Sequence, residues 1–238
     1  MTWRPERSLE PEYMDSEDMP EADRAAFHRD LQLIHRLLGN LKPIVERIRR
    51  GPHPVRSVID IGCGDGAVLA RIREAVGAEV TGIDLRPPEK DVYGITILRR
   101  DATRDELPAA DVAISMLTLH HLTDEQVVGV IRNTGRSCRR LICLDLVRHP
   151  LPFALFSLFI GPLIHKAAAD DGRQSIRRAF KPVELRDLVT SALAGTGATF
   201  EHHVSRYYAS QIVDIRFPAT FVHKSAQRDP PCNPAAPS

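Results

Sequence analysis

Residues Val58 to Ile72 read VIDIGCGDGAVLARI, an apolar run that passes through Asp60 into Gly62, Cys63, Gly64, Asp65 and Gly66 and then into a helical pattern. Glycines at alternate positions let the chain turn tightly after a buried strand, and they leave open the space that a Cβ would fill, so a ligand can approach the backbone there. A dinucleotide pyrophosphate requires the spacing G-x-G-x-x-G and a helix N-terminus aimed at phosphate. The spacing here is G-x-G-x-G, and Asp60, two residues before the first glycine, opposes an anion and suits a ligand that carries an ammonium group. Asp65 takes the place of a turn or cap residue. Farther along, His120 and His121 are adjacent and His165 stands apart. A histidine at a cleft is the natural proton acceptor near neutral pH, although paired histidines also serve as caps and as core hydrogen-bonding groups.

These groups must be positioned by the strands that precede them. Glu79 to Leu85 reads as a strand ending in an acid, Asp84, about 20 residues past the glycine turn. Ile95 to Arg99 leads to Arg100, Asp101 and Ala102, and Asp111 to Ser115 leads to Met116, Leu117, Thr118, Leu119, His120, His121 and Leu122. Arg140 to Leu146 is a fifth strand, and Thr199 to Tyr207 with Gln211 to Phe217 form a closing hairpin. Between the fifth strand and that hairpin lies LPFALFSLFIGPLI, Leu151 to Ile164. A span of the bilayer needs about 20 residues, so these fourteen, interrupted by Pro152, Gly161 and Pro162, read as a cap whose Phe153, Phe156 and Phe159 form an apolar wall over a pocket or touch a membrane peripherally.

Taken in this order, the segments resemble the class I S-adenosylmethionine-dependent methyltransferases over about Val55 to Phe217. The resemblance implies an α/β fold: a Rossmann-like, seven-stranded, mostly parallel sheet with its last strand antiparallel, plus N-terminal helices and a helical cap insertion. It implies S-adenosylmethionine as cofactor and S-adenosylhomocysteine as product. Asp60, Gly62, Cys63 and Gly64 would meet the amino acid part, Asp84 and Leu85 the ribose, and Asp101 and Ala102 the adenine, with Ser115 contributing from the fourth strand. His120 or His121 would be the base, and Met116, Phe153, Phe156, His165 and Arg177 would face the substrate. The stretch Ser175 to Phe180, SIRRAF, before a helix from Pro182 to Ala194, resembles a segment of bacterial methyltransferases encoded beside type III polyketide synthases, which modify alkylated phenols and quinols. One of Arg177 and Arg178 would face the cleft.

The chain has 238 residues, 43% of them hydrophobic, enough for one globular core with an appendage. A net charge of +1 with interspersed signs gives no reason to bind a polyanion, and Ser115 to Thr118 stand where nucleic-acid amino methylation would require an Asn-Pro-Pro-aromatic or Asp-Pro-Pro-aromatic tetrapeptide. Four cysteines without a Cys-x-x-Cys pair point to neither a zinc site nor a disulfide framework, and no paired acidic metal cluster stands out. The acidic, polar start lacks the layout of a secretory signal, so a cytoplasmic location is expected. The expected organisation is a flexible N-terminus over 1–20, a helical lid over 21–52 broken near Gly39, Asn40 and Pro43, the cofactor-binding domain over 53–224 with its cap over 149–180, and a disordered Pro-rich tail over 225–238. The function expected is O-methylation of an apolar small phenol, quinol or polyketide. The alternatives are a C-methyltransferase of the quinone-pathway type and a catalytically silent cofactor-binding partner protein; a nicotinamide oxidoreductase is opposed by the glycine spacing.

Overall fold

The computed structural model describes residues 3–16, 19–20, 29–30, 33–34, 39–51, 53–89, 91 and 93–219. Seven strands form one sheet: β1 (Ser57–Ile61), β2 (Glu79–Asp84), β3 (Thr96–Arg99), β4 (Val112–Met116), β5 (Arg140–Leu146), β6 (Thr199–Val204) and β7 (Ser210–Arg216), in the order β3-β2-β1-β4-β5-β7-β6. Only β7 runs antiparallel, against both β5 and β6, as the resemblance implied. The sheet is buried on both faces, which is why its central strands are nearly continuous apolar runs.

Residues of alternate parity serve the two faces. Ile59, Ile61, Ala113, Leu141, Val213 and Ile215 pack with α3 (Asp124–Ser137) and α6 (Pro182–Leu193) through Val127, Ile131, Leu185 and Val189. Val58, Val112, Ile114, Ile142, Leu144 and Ile212 pack with Ile44 and Ile48 of α1 (Leu41–Arg49) and Ile72 of α2 (Ala67–Val76). The described part of the expected lid therefore braces the sheet. Gly39 and Asn40 make its turn, and Pro43 sits within the first turn of α1, where the missing N–H has no helical partner to lose. The rest of that lid, apart from residues 29–30 and 33–34, and the tail over 225–238 lie outside the described residues.

A buried ion pair locks the far end of the sheet. Arg140 donates from Nε to Asp214 Oδ1 (2.8 Å) and from Nη2 to Oδ2 (2.5 Å), and its Nη1 donates to the Arg47 carbonyl (2.9 Å). Removing one partner leaves the other charge buried, at a cost of about 3–5 kcal/mol. Asp214→Ala is expected to lower the unfolding free energy by about that amount in urea titrations; a loss below about 1 kcal/mol would place the pair among the weak, solvated ones.

The cap consists of α4 (Pro150–Leu155), a π turn Phe156–Ile160, a 3₁₀ turn Gly161–Leu163 and α5 (Lys166–Arg178). Phe153 and Phe156 differ from the expected pocket wall. They turn inward onto Ile176, with Trp3 from the N-terminus 5.5 Å from Phe153 between ring centroids. Phe156 lies against Gly172, where any Cβ would strike its ring. Leu158, Phe159 and Leu163 are exposed instead. Among the described residues no helix is long and apolar enough to cross a membrane.

Candidate active site

The strand order reverses around β1, which lies between β2 and β4, and ligands of open α/β sheets bind outside the strand C-termini at such a point. The glycine turn stands there. Gly62, Gly64 and Gly66 have φ of +76°, +57° and +80°, a region L-residues seldom enter. A Cβ on Gly62 would collide with the Thr118 side chain, whereas one on Gly64 would meet no protein atom, so the turn is tight on one side and open on the other. Gly82 of β2 supplies the room for Cys63, whose Sγ would lie 2.5 Å from a Cβ there. Burial pushes the Cys63 thiol far up, which keeps it neutral and non-nucleophilic.

Two acids flank the turn. Asp60 is buried within β1, and among the described residues its Oδ1 has no hydrogen-bond partner. Burial, reinforced by the nearby Asp84 charge, raises its carboxyl well above the ordinary value. Asp84 accepts from the Gly64 N–H at 2.9 Å and the Arg86 N–H at 2.8 Å, so it pins the turn while each oxygen keeps a lone pair for a further donor. Asp65 accepts from the Ala67 N–H, as a cap does. Asp101 accepts from the Thr103 hydroxyl (2.6 Å) and N–H (3.0 Å), and Arg104 pairs with its other oxygen at 3.0 Å. The Thr103 hydroxyl bond is the main influence that lowers the Asp101 carboxyl. Leu85 is exposed beyond Asp84, and the Ala102 carbonyl accepts from Asn133. Ser115 departs from the expectation. It is fully buried in mid-sheet, with its Oγ unpartnered among the described residues, because strand alternation puts it on the face of Ala113, so it presents no surface to a ligand.

Past β4 the chain bends through Leu117, a non-glycine residue at φ +55°. The Thr118 hydroxyl reaches the carbonyls of Met116 (3.2 Å) and Ile61 (3.3 Å), fastening the next 3₁₀ turn, Leu119–His121, to the glycine turn. His120 is buried. Its Nδ1 lies 2.6 Å from Asp145 Oδ1, and its backbone N–H donates to Asp145 Oδ2 at 2.8 Å. The His121 Nδ1 lies 3.2 Å from Asp15 Oδ2, and the two rings are 4.3 Å apart between centroids.

Residues 7–15, assigned to a flexible N-terminus from the sequence, form a strap over these histidines. Ser8 N–H donates to the Arg177 carbonyl, and the N–H groups of Tyr13 and Met14 donate to Asp171 of α5 at 2.8 Å each. Arg178 donates from Nε to the His120 carbonyl (3.2 Å), from Nη2 to that of His121 (3.0 Å) and from Nη1 to that of Glu10 (3.0 Å). Glu12 accepts from the Ser175 hydroxyl at 2.7 Å through Oε2, while Oε1 lies 3.6 Å from His120 Nε2 and 4.0 Å from His121 Nε2. Burial pushes the Glu12 carboxyl up to about 7 against the opposing pull of His121, Ser175 and Arg178. Burial also pushes Asp15 up, but the hydrogen bond and charge of His121 outweigh it and hold that carboxyl at about 2.

The structure thus brings His120 and His121 together with Arg178, one of the two arginines expected at the cleft, and with Glu12, Asp15 and Asp145, three acids to which the sequence alone assigns no role. Arg177, the arginine expected to face substrate, turns instead to Gln174 Oε1 (2.7 Å) and Glu10. Met116 packs into the cluster under α1 and α2. His165 is exposed at the start of α5, outside the histidine cluster. The signals available in the sequence were a charged residue, Asp145, interrupting the apolar run of β5, and the acidic spacing Glu12 and Asp15 in a segment with no apolar period.

Residues 58–140 match the family model described as a methyltransferase domain. The chain is 28% identical over 162 residues to the O-methyltransferase cnsE of Penicillium expansum, an alignment covering 59% of this chain and 58% of that protein. The fold is shared with the plantazolicin methyltransferase BpumL in complex with SAH (TM-score 0.66, 13% identity, 86% of this chain and 93% of that one). It is also shared with the magnesium protoporphyrin IX methyltransferase ChlM from Synechocystis PCC 6803 with bound SAH (TM-score 0.51, 18% identity, 86% and 91%). With its seven-stranded sheet and antiparallel β7, the chain has a Rossmann-like methyltransferase fold, and residues 58–140, which hold the glycine turn, Asp60 and Asp84, are similar to a methyltransferase domain.

Proposed function

We propose that the protein transfers the methyl group of S-adenosylmethionine to the hydroxyl of an apolar small phenol, quinol or polyketide. The observation that carries the reading is the Asp145–His120 pair fastened to the glycine turn through Thr118. The turn itself fits the cofactor: Gly64 leaves a cradle that a Cβ would fill, and Asp60 Oδ1 is a buried acceptor without a donor among the described residues. When bound, the cofactor supplies a sulfonium methyl group open to in-line displacement.

Asp60 would hold the ammonium group, Asp84 and Leu85 the ribose, and Asp101 with Ala102 the adenine. His120 gives its Nδ1 proton to the bond with Asp145, which leaves the Nε2 lone pair to take the proton of the acceptor hydroxyl. A phenol, with a pKa near 10, asks far less of such a base than an alcohol does. Because His120 is covered by Glu12, the acceptor enters when the strap over 7–15 moves aside, and its return excludes water. The cap over 149–180 would form the apolar side of that entrance. The O-methyltransferase relative in Penicillium expansum supports oxygen over carbon as acceptor.

The test is S-adenosylhomocysteine release across alkylresorcinols, flavonoids, quinols, peptides and the O-methylated counterparts of the phenols. Free phenols are expected to turn over and their fully methylated counterparts to be inert. Equal turnover of both would overturn the reading. Asp60 gives a second prediction. Its raised carboxyl keeps a proton that the unfolded chain has lost above the ordinary pKa of 3.8, so its contribution to stability is full below that value and is lost as pH rises through the raised one. Asp60→Asn removes that loss. The variant is expected to melt no lower than wild type at pH 8, yet to bind S-adenosylhomocysteine about 10- to 100-fold more weakly by calorimetry, the scale of a lost charge-assisted bond. Undiminished affinity would remove Asp60 from the ammonium site.

A further inference from the structure

We propose that Glu12, His120 and His121 form a binding site for a divalent ion of the zinc class. The inference rests on the placement of His120 at the methyl-transfer site and adds to it a second ligand. One donor atom from each of the three residues lies within 4.8 Å of the other two. The Glu12 Oε1 distances of 3.6 Å to His120 Nε2 and 4.0 Å to His121 Nε2 need to contract only slightly, since tetrahedral ligands at zinc bond lengths stand about 3.4 Å apart.

The surroundings have the arrangement of an outer shell. A metal-binding imidazole presents one nitrogen to the ion and gives its other N–H to a carboxylate or carbonyl, which fixes the tautomer. Both histidines do this: Nδ1 of His120 faces Asp145 and Nδ1 of His121 faces Asp15, so each Nε2 is turned toward the same glutamate oxygen. The glutamate is oriented too, through Ser175 on Oε2.

An independent observation is the state of Oε1 itself. The Glu12 side chain is 1% exposed, and among the described residues Oε1 has no hydrogen-bond partner, a cost a native structure rarely carries without a ligand. Arg178 Nε stands 3.8 Å from that oxygen, but its donors go to the carbonyls of His120, His121 and Glu10 and to Asp15. Asp15 and Asp145 add two more carboxylates beside the two histidines, and Asp171 holds the strap that carries Glu12. Two imidazoles and one carboxylate select a first-row ion such as zinc over magnesium or calcium. An ion in this place takes the Nε2 lone pair of His120 and ties the strap down, so loading lowers methyl transfer.

The test uses the untagged full chain, stripped with a chelator and dialysed against ZnCl2, with CoCl2 as a spectroscopic probe and S-adenosylhomocysteine binding measured on the same samples. One zinc per chain is expected, with a Co2+ visible spectrum of low-symmetry nitrogen and oxygen ligation. Glu12→Gln and His121→Ala are expected to lower affinity about 100-fold or more, and Asp15→Asn about 10- to 100-fold, the range for an outer-shell partner. Substoichiometric zinc in wild type, or affinity unchanged in His121→Ala and Asp15→Asn that still bind S-adenosylhomocysteine, would overturn the site. Cofactor binding without zinc refutes the metal site alone; zinc binding without cofactor binding supports it and refutes the function proposed above.

Discussion

His120→Ala is expected to lower methyl-transfer turnover by about 10²- to 10⁴-fold, the usual contribution of a positioned general base, with S-adenosylhomocysteine affinity changed by no more than about two-fold. The separation follows from the structure. The imidazole follows Thr118 on the 3₁₀ turn and makes none of the bonds that hold the glycine turn to Asp84. Asp145→Asn should fall in the same range with the imidazole intact. An amide in place of Oδ1 would either lose the Nδ1–H bond or enforce the other tautomer. The two losses should not multiply in the double variant, because both act on one nitrogen. Truncating His120 also costs Asp145 one buried hydrogen bond, about 1.5–3 kcal/mol, while the N–H groups of His120 and Leu146 still serve the carboxylate, so turnover is measured below the melting range of the variant. Unchanged turnover in His120→Ala would remove the base assignment.

Gly62→Ala is the second large effect. At φ +76° an alanine is strained, and its Cβ would occupy the place of the Thr118 side chain. Strain and collision together cost about 2–3 kcal/mol, which corresponds to about 30- to 150-fold in cofactor affinity if the turn opens to relieve them. Thr118 cannot retreat freely. Its hydroxyl is anchored on the carbonyls of Ile61 and Met116, and any shift carries the 3₁₀ turn with His120 along. Both cofactor binding and turnover should therefore fall in Gly62→Ala, and adding Thr118→Ala should recover part of the binding. Wild-type affinity in Gly62→Ala would mean that the turn does not carry the cofactor.

The difference between what was legible in the sequence and what was not follows from range. The strands were readable because each is a short apolar run bounded by turn residues, and β1 with its glycine turn is contiguous in sequence. The acids Asp60 and Asp84 sit at strand ends, where period and punctuation locate them to a residue. The histidine cluster was only half readable. His120 and His121 follow β4 directly, but their partners come from β5, α5 and the N-terminal strap, and no local pattern brings Glu12 to His120. Arg177 and Arg178 illustrate the limit more finely. Adjacent helical residues point about 100° apart, and only the packing of α5 against the strap and the 3₁₀ turn decides that Arg178 meets the histidine carbonyls. Ser115 was misread through the same effect on a strand, where a shift of one residue reverses the face. The phenylalanines of the cap were readable as apolar, but Trp3, which covers Phe153, lies far from them in the chain.

The most direct measurement of the central claim is incubation of the protein with S-adenosylmethionine carrying a trideuterated methyl group and the best phenolic acceptor, followed by mass spectrometry that locates the label. Label is expected on a phenolic oxygen, matched by stoichiometric S-adenosylhomocysteine and lost in His120→Ala. Label on a ring carbon, or no label from a protein that binds S-adenosylhomocysteine, would contradict the claim.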